Sequence, residues 1–530
     1  MTIPLASPVV AAPEPVSSEA PTLDWWRLGV VLVAALALAA GVAVIDNLPV
    51  GVMKDDGMYV ILARSLVTGQ GYRYLNLPGA PAATHFPPGY PALLALVSLV
   101  SPRFPANLAA FKLVNAALLA GAAVLVARLV RERIGSAPLG LVVGAVSAVS
   151  VPLLLLGSMV MSEPLFLVIV LALLAALERF AEGPARPRAA LLLGGGIGMC
   201  MLVRSHGIVL VPAAVIVLGA RRRWRDAAIV AGVALACVLP WQWWSARHAA
   251  ELPAPLLGAY GPYTTWWTRG LRELGPSMIP RTLARTVPEV ASMLAALFSP
   301  WRGQLAHAAT LIALGGLAAA AVAAYWRRLP ITLLFLASYL AIVLIWPFAP
   351  TRFVWCVWSL VLLVPALGAL AAARHHDWPM PLRATLVVAA AWLTAGYGAY
   401  ELRAVRGAWW SSIARANTTR IHAVARWTLA NTSPGQIIAT DDEEAVYLYT
   451  GRRTVPIISF TTRHYLETPA PARNAREGLA PVLATYPVSL VVVGSAQSFA
   501  AASALTIGPA PLLTLRETFA GGAAFTILTP

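Results

Sequence analysis

Apolar residues arrive in unbroken blocks of near-membrane length along this chain. Leu28–Ile45, Leu108–Val126 and Phe353–Leu370 each approach the ~20 residues that a helix needs to cross hydrocarbon. Inside a bilayer the backbone must satisfy its own polar groups, and a continuous rather than alternating apolar run does so only as a helix. Of 530 residues, 59% are hydrophobic and only 12% are Asp, Glu, Lys or Arg, far too few charges for a soluble chain of this length. The chain reads as a polytopic α-helical membrane protein.

The net charge of +16 raises the question of nucleic acid, and its placement answers it. Basic residues gather in short loops between apolar blocks: Arg131 and Arg133, Arg186 and Arg188, Arg221–Arg225, Arg327 and Arg328, Arg374 and Arg383. Such loops stay cytoplasmic and sit well beside anionic lipid, so the expected partners are membrane lipids and no nucleic acid. About eleven crossings fit this rule. They are Leu28–Ile45, Leu108–Ala127, Leu139–Leu156, Pro164–Phe180, two short helices within Ala189–Ala220, Ala227–Trp244, Ala306–Tyr325, Ile331–Trp346, Phe353–Ala371 and Ala384–Tyr400. Between the two short helices, Arg204-Ser205-His206-Gly207 turns at the outer face; one long bent helix is the alternative, but it would put Arg221–Arg225 outside, against the charge rule. A loop from Ser245 to about Leu305 carries Tyr260, Tyr263, Trp266 and Trp267, residues that favour headgroups.

Residues 1–24, rich in Pro, Ser and Ala, read as a disordered cytoplasmic tail. Residues 25–402 form the membrane domain, with an outer loop at 46–107. From about Arg403, short β-branched runs (Ile437–Thr440, Thr454–Ile458, Val488–Val493, Ala524–Thr529) alternate with helical stretches at Ala445–Tyr449 and Gln497–Ser503. Residues 403–530 are therefore expected to be a small extracytoplasmic α/β domain with a partly parallel sheet. Asp441–Glu444 would cap a helix start there. Cys200, Cys237 and Cys356 all lie in apolar segments, without metal spacing, and the outer domain has no cysteine.

Charge beside a bilayer is expensive, so Lys54-Asp55-Asp56-Gly57-Met58-Tyr59 after the first crossing invites a functional reading. Asp56–Thr68 is expected to be a surface helix, with Tyr59, Leu62, Ala63 and Leu66 on its apolar face. The chain then runs extended through Tyr72 and Tyr74 to His85-Phe86-Pro87-Pro88-Gly89-Tyr90-Pro91, where another apolar helix begins.

A sugar carried on a lipid phosphate suits this arrangement. A carboxylate takes the proton of an attacking hydroxyl, and cations hold the departing phosphate. Asp55 is the candidate base. Asp56 would orient it, bind donor hydroxyls or pair with arginine, and both also suit an ordinary helix start. The phosphate-binding candidates are Arg352, favoured for its planar fork, then Arg204, Lys54 and Arg73. Tyr59, His85, Tyr90, Glu163 and His206 are substrate-binding candidates. Glu163 equally suits a helix N-terminus or an arginine partner. No metal ligand set is expected. No cofactor is required, and a divalent cation is compatible with the site but unnecessary for a single phosphate.

These motifs resemble those of multi-spanning glycosyltransferases that use polyprenyl-phosphate sugars, the protein O-mannosyltransferase and aminoarabinose-transferase-like group with the GT-C fold. The resemblance rests on Asp55-Asp56-Gly57-Met58-Tyr59, Ala63-Arg64, Gly69-Gln70-Gly71-Tyr72, Phe86-Pro87-Pro88-Gly89-Tyr90-Pro91, Ser162-Glu163-Pro164, Arg204 and Arg352-Phe353, across about residues 25–400. It implies an inverting transfer from a polyprenyl-phosphate sugar donor to a glycan, lipid or protein acceptor. Asp55 matches the family's acidic residue on the first outer loop, Asp56 a second position that is often Glu, and Arg352 a late arginine linked to the donor phosphate. The expected location is a bacterial cytoplasmic (inner) membrane, with the N-terminus inside and the C-terminal domain outside. A lipid-linked-sugar transporter or flippase is the alternative, but would usually show paired repeats and mid-membrane polar groups. A non-catalytic envelope assembly protein is a third.

Overall fold

The computed structural model describes residues 24–458, 461–467, 473 and 475–528, so the expected N-terminal tail lies outside the described residues. The helices in chain order are α1 (Trp25–Ala43), α2 (Asp55–Val67), α3 (Gly89–Val100), α4 (Leu108–Ile134), α5 (Ala137–Val149), α6 (Val151–Ser158), α7 (Glu163–Glu182), α8 (Pro187–Val203), α9 (Leu210–Ala220) and α10 (Trp224–His248). After the short α11 (Leu257–Tyr260) come α12 (Tyr263–Leu274), α13 (Met278–Phe298), α14 (Gln304–Tyr325), α15 (Pro330–Ile345), α16 (Thr351–Trp355), α17 (Trp358–Arg374), α18 (Met380–Arg406), α19 (Ser412–Asn431) and α20 (Glu443–Thr450). Among the described residues six helices are long and apolar enough to cross a membrane, and the bent pair α5–α6 makes a seventh. Every apolar segment of the sequence contains one of these or a shorter apolar helix.

Contacts between helix ends sort the bundle into two faces. At one, Arg131 lies over the Trp26 ring, Arg133 pairs with Glu182 and donates to the Arg328 carbonyl, Arg223 donates to the Phe180 and Gly183 carbonyls, and Arg374 donates to the Ile134 carbonyl. The basic loops thus share one end, as a positive-inside arrangement requires. Ala189–Ala220 is two helices rather than one bent helix, because both its basic flanks lie at that end.

Two features of the membrane domain depart from expectation. The Leu139–Leu156 segment breaks at Ser150, where α5 and α6 meet at 49°. Broken helices expose N–H groups that lipid cannot satisfy. Glu401 of α18 accepts from the Val151 N–H at 3.1 Å, and Ser150 Oγ bonds Tyr397 OH at 2.7 Å. The second departure is Ser245–Leu305, read as a loop: it contains the amphipathic helices α12 and α13.

After α19 the chain builds a five-stranded sheet: β1 (Ile437–Thr440), β2 (Arg453–Pro456), β3 (Val488–Val493), β4 (Leu513–Phe519) and β5 (Gly522–Ile527), in spatial order β2-β1-β3-β5-β4. The first three pair in parallel and the rest antiparallel. Strand β4 had no counterpart among the expected strands, being largely exposed and carrying Arg516 and Glu517. Alternate residues face opposite layers, as strand geometry dictates. Leu490 and Val492 pack with Val424 and Trp427 of α19, while Val491 and Val493 belong to the main core.

Candidate active site

At the end opposite the basic loops, four charged side chains from distant parts of the sequence converge. Asp55 opens α2 and pairs with Arg352 Nη2 at the start of α16. Arg352 Nε lies 3.3 Å from Glu163 Oε1, at the start of α7, and Arg204 Nη1 approaches the same oxygen at 3.0 Å. Arg204 also donates to Ser162 Oγ at 2.9 Å, and that oxygen bonds Tyr59 OH at 3.0 Å. Glu163 and Arg204 are buried, whereas Asp55 and Arg352 keep about a fifth of their side-chain surface exposed. Pairing offsets the cost of burying these ions, although Glu163 Oε1 and Arg204 Nε have no hydrogen-bond partner among the described residues. Both guanidiniums lie 5.5 Å from the centroid of the Phe353 ring.

Local structure explains each position. The break at Arg204 is where α8 ends in extended backbone before a single turn at Ser205–Val209. Asn115 donates to the Met159 and Met161 carbonyls at 2.9 and 3.2 Å, which anchors the extended run before Glu163, and Tyr90 OH donates to Asn115. A Cβ on Gly89 would stand 2.8 Å from the Leu202 carbonyl oxygen, so glycine is required where α3 meets the end of α8.

The candidates divide accordingly. Asp55, Arg352, Arg204, Glu163 and Tyr59 form one connected group. Asp56 does not join it. Its carboxylate accepts from the backbone N–H groups of Gly51, Val52 and Met53 at 3.1, 3.3 and 3.0 Å, which fixes the turn into α2. Burial nonetheless raises its pKa, against the lowering effect of those bonds. Arg73 lies elsewhere, 3.7 Å from Glu251 and donating to the Ala80 carbonyl. Lys54 pairs at 2.7 Å with Glu443 of the C-terminal domain. Tyr90 supports the group from one layer behind, through Asn115. His85 and His206 line an adjoining cavity of about 430 Å³ with Tyr263, Trp267 and Trp346. Asp55 acts electrostatically on both His85 and Tyr263, which puts the cavity beside the charged group. Ser162 and Tyr263 were not among the expected site residues. Ser162 had a signal in its place immediately before Glu163.

The acidic run Asp441–Glu444 does not cap a helix by its side chains as expected. Asp441 accepts from the Ser495 N–H at 2.8 Å, and Asp442 pairs with Arg420 at 2.7 Å. Glu443 receives Lys54 and a hydrogen bond from Tyr260 OH at 3.1 Å. Glu444 Cβ would sit 2.8 Å from a Cβ on Gly57, which explains the glycine inside the acidic motif. Lys54 itself has φ of +65°, a region that costs a non-glycine residue about 1–3 kcal/mol. The C-terminal domain thus holds the residue preceding Asp55 in a conformation it would not choose. Burial, reinforced by Glu443, holds the Glu444 carboxyl well above its usual range, and burial with Asp441 pushes Asp442 up to about 7. Among the described residues no three His, Cys, Asp or Glu side chains converge as metal ligands.

No family model matches the sequence, and no curated protein sequence matches it. Its fold does have solved counterparts. ArnT from Cupriavidus metallidurans bound to undecaprenyl phosphate is similar at a TM-score of 0.56 and 12% identity, over 95% of this chain and 98% of that one. The archaeal oligosaccharyltransferase AglB from Archaeoglobus fulgidus, in complex with an inhibitory peptide and a dolichol-phosphate, is similar at a TM-score of 0.54 and 12% identity, over 90% and 71% of the two chains. A complex of an Archaeoglobus fulgidus oligosaccharyltransferase with Zn and sulfate gives 0.51 and 13%, over 88% and 68%. The chain has the GT-C fold.

Proposed function

We propose that this GT-C chain is an inverting glycosyltransferase that moves a sugar from a polyprenyl-phosphate donor to a cell-envelope glycan, lipid or protein. The observation that carries the reading is the Asp55–Arg352–Glu163–Arg204 group, set at the end of the bundle away from the basic loops. That end is then the outer face of the cytoplasmic membrane.

In this reading the donor phosphate takes the Arg352 fork, and Asp55 is released from its ion pair as it does so. The acceptor hydroxyl attacks the anomeric carbon while its proton passes to Asp55. The bond from that carbon to the phosphate oxygen breaks, and the electron pair leaves with polyprenyl phosphate. Charge stays balanced: the phosphate gains one negative charge as Asp55 loses one. Glu163 holds Arg352 and Arg204 in place, and the two guanidiniums stabilise the leaving group.

Neutralisation falls to arginine, so a divalent cation is not required and chelation by EDTA leaves turnover unchanged. The test of the function is sugar transfer by purified protein from a panel of polyprenyl-phosphate sugars, with Asp55→Asn as control. Folded but nearly inactive mutant protein is expected. Full turnover by the mutant would exclude Asp55 as the base, and no transfer by the native chain from any donor would exclude the activity.

A further inference from the structure

The cavity beside Asp55 is unusual for its lack of charge. None of the residues that line it is Asp, Glu, Lys or Arg, although four charged groups stand next to it. Its wall is aromatic and continuous: Tyr263 lies 5.3 Å from Trp346, Trp346 lies 6.0 Å from Trp267 and 5.2 Å from His206, and His85 lies 4.1 Å from Tyr263. At about 430 Å³ it has the size of a small-molecule site.

Ser205, Gln242, Ser245, Thr264 and Thr268 also line it, and two buried imidazoles stand in its aromatic wall. His85 Nδ1 stands 2.7 Å from the Gly261 carbonyl oxygen. A carbonyl only accepts, so Nδ1 carries the proton and Nε2 presents a lone pair. Burial lowers the His85 pKa, which keeps this neutral tautomer at physiological pH. His206 is 8% exposed, and its Nε2 is buried without a hydrogen-bond partner. Buried polar atoms normally have partners, and this orphan nitrogen belongs to a residue that lines the cavity.

Three occupants compete for this space. An isoprenoid tail would leave both imidazoles unpaired against hydrocarbon. An amino sugar or a uronic acid would bring its charge into a cavity whose own lining holds no Asp, Glu, Lys or Arg to meet it, while the neighbouring arginines are taken by Glu163 and the donor phosphate. A neutral sugar gives hydroxyls to the imidazoles and its C–H faces to the aromatic rings. We infer that the cavity receives the sugar of the donor and selects an uncharged one, with His85 and His206 as specificity-determining contacts. This rests on the transferase reading.

The test is equilibrium binding to the full chain in nanodiscs, followed by tryptophan fluorescence. The probes are decaprenyl phosphate alone and its mannosyl, aminodeoxyarabinosyl and galacturonosyl esters. The mannosyl donor is expected to bind at least tenfold more tightly than either charged donor, a ratio typical of a lost or unmatched buried hydrogen bond. His206→Phe and the milder His206→Gln and His85→Gln should each erase that preference and leave decaprenyl phosphate binding within twofold. Equal or tighter binding of a charged donor overturns the inference while leaving the transferase intact. So does an equal weakening of decaprenyl phosphate by the variants, which would put the lipid tail in the cavity. If mannosyl preference holds but the native chain never cleaves the donor, the pocket stands and the transferase reading falls. Absence of saturable binding by every donor removes both.

Discussion

Asp55 and Asp56 are adjacent carboxylates with opposite surroundings, and their substitutions should separate cleanly. Asp55 has one charged partner and partial exposure, so Asp55→Asn leaves thermal stability close to native while kcat falls by roughly 10²–10⁴-fold, the range for loss of a general base. Asp56 serves three N–H groups, each costing about 1–3 kcal/mol when buried unpaired. Asp56→Asn keeps only one acceptor oxygen, so it lowers the melting temperature, and the protein that stays folded retains its turnover per molecule. Thermal melts beside transfer assays check both. At this scale the sequence was legible where a residue type was rare: Asp55, Glu163, Arg204 and Arg352 stood out because charge beside a membrane has few reasons to exist. It singled out Asp55 as the base but could not assign Asp56 its place, because that place is a turn whose N–H groups point at Asp56 alone. It ranked Lys54 and Arg73 below Arg352 and Arg204 but could not place them outside the group, since their partners Glu443 and Glu251 are remote in sequence.

At the scale of elements, the clasp between Lys54 and Glu443 makes β1–α20 of the C-terminal domain part of the loop that presents Asp55. Glu443→Gln removes the charge that holds Lys54. The expected result is about a tenfold fall in kcat with donor KM within twofold, and a Lys54→Met/Glu443→Gln double variant no worse than either single one, as interacting pairs behave. Additive losses would show that the two residues act separately. The same run gives a pH dependence. Asp442 and Glu444 both have raised folded-state pKa values, so their stabilising contribution is complete at low pH and is lost as pH rises through the folded values, which for Asp442 is about 7. The C-terminal domain should therefore melt at a higher temperature at pH 5.5 than at pH 7.5, and Glu444→Gln, which mimics the protonated acid, should flatten that slope. Unchanged melting across this range would remove the assignment. The expected strands of this domain were found because β1, β2, β3 and β5 each carry a short, largely buried apolar run, whichever way they pair. Strand β4, exposed and charged, carried no such mark. Helix α12 did carry one, in the spacing of Tyr263, Trp266, Trp267, Gly270 and Leu274, but its aromatic residues also suit headgroups, which hides the period.

For the whole molecule, the sorting of basic loops to one end and the charged group to the other gives the proposed transferase a single working face. With Cys200, Cys237 and Cys356 replaced by Ala, a cysteine at the exposed Gln70 should react with a membrane-impermeant maleimide in intact cells. One at the exposed Arg186 should react only after permeabilisation. The reverse pattern would turn the bundle over and with it the proposed donor face. This two-ended plan was readable from charge placement alone, because the bilayer imposes it on every loop independently. The bend at Ser150 was not, since it depends on Glu401 arriving from a helix near the far end of the membrane domain.

The bond between the Val50 N–H and Tyr449 OH joins positions 399 residues apart. A ribosome delivers the first of these long before the second, at a pace of about 5–20 residues each second. The turn that seats Asp55 must therefore wait, unclasped, until nearly the entire polypeptide has been synthesised. Half-made copies would stay silent, and a premature stop anywhere before the sheet would yield a membrane-embedded but idle product.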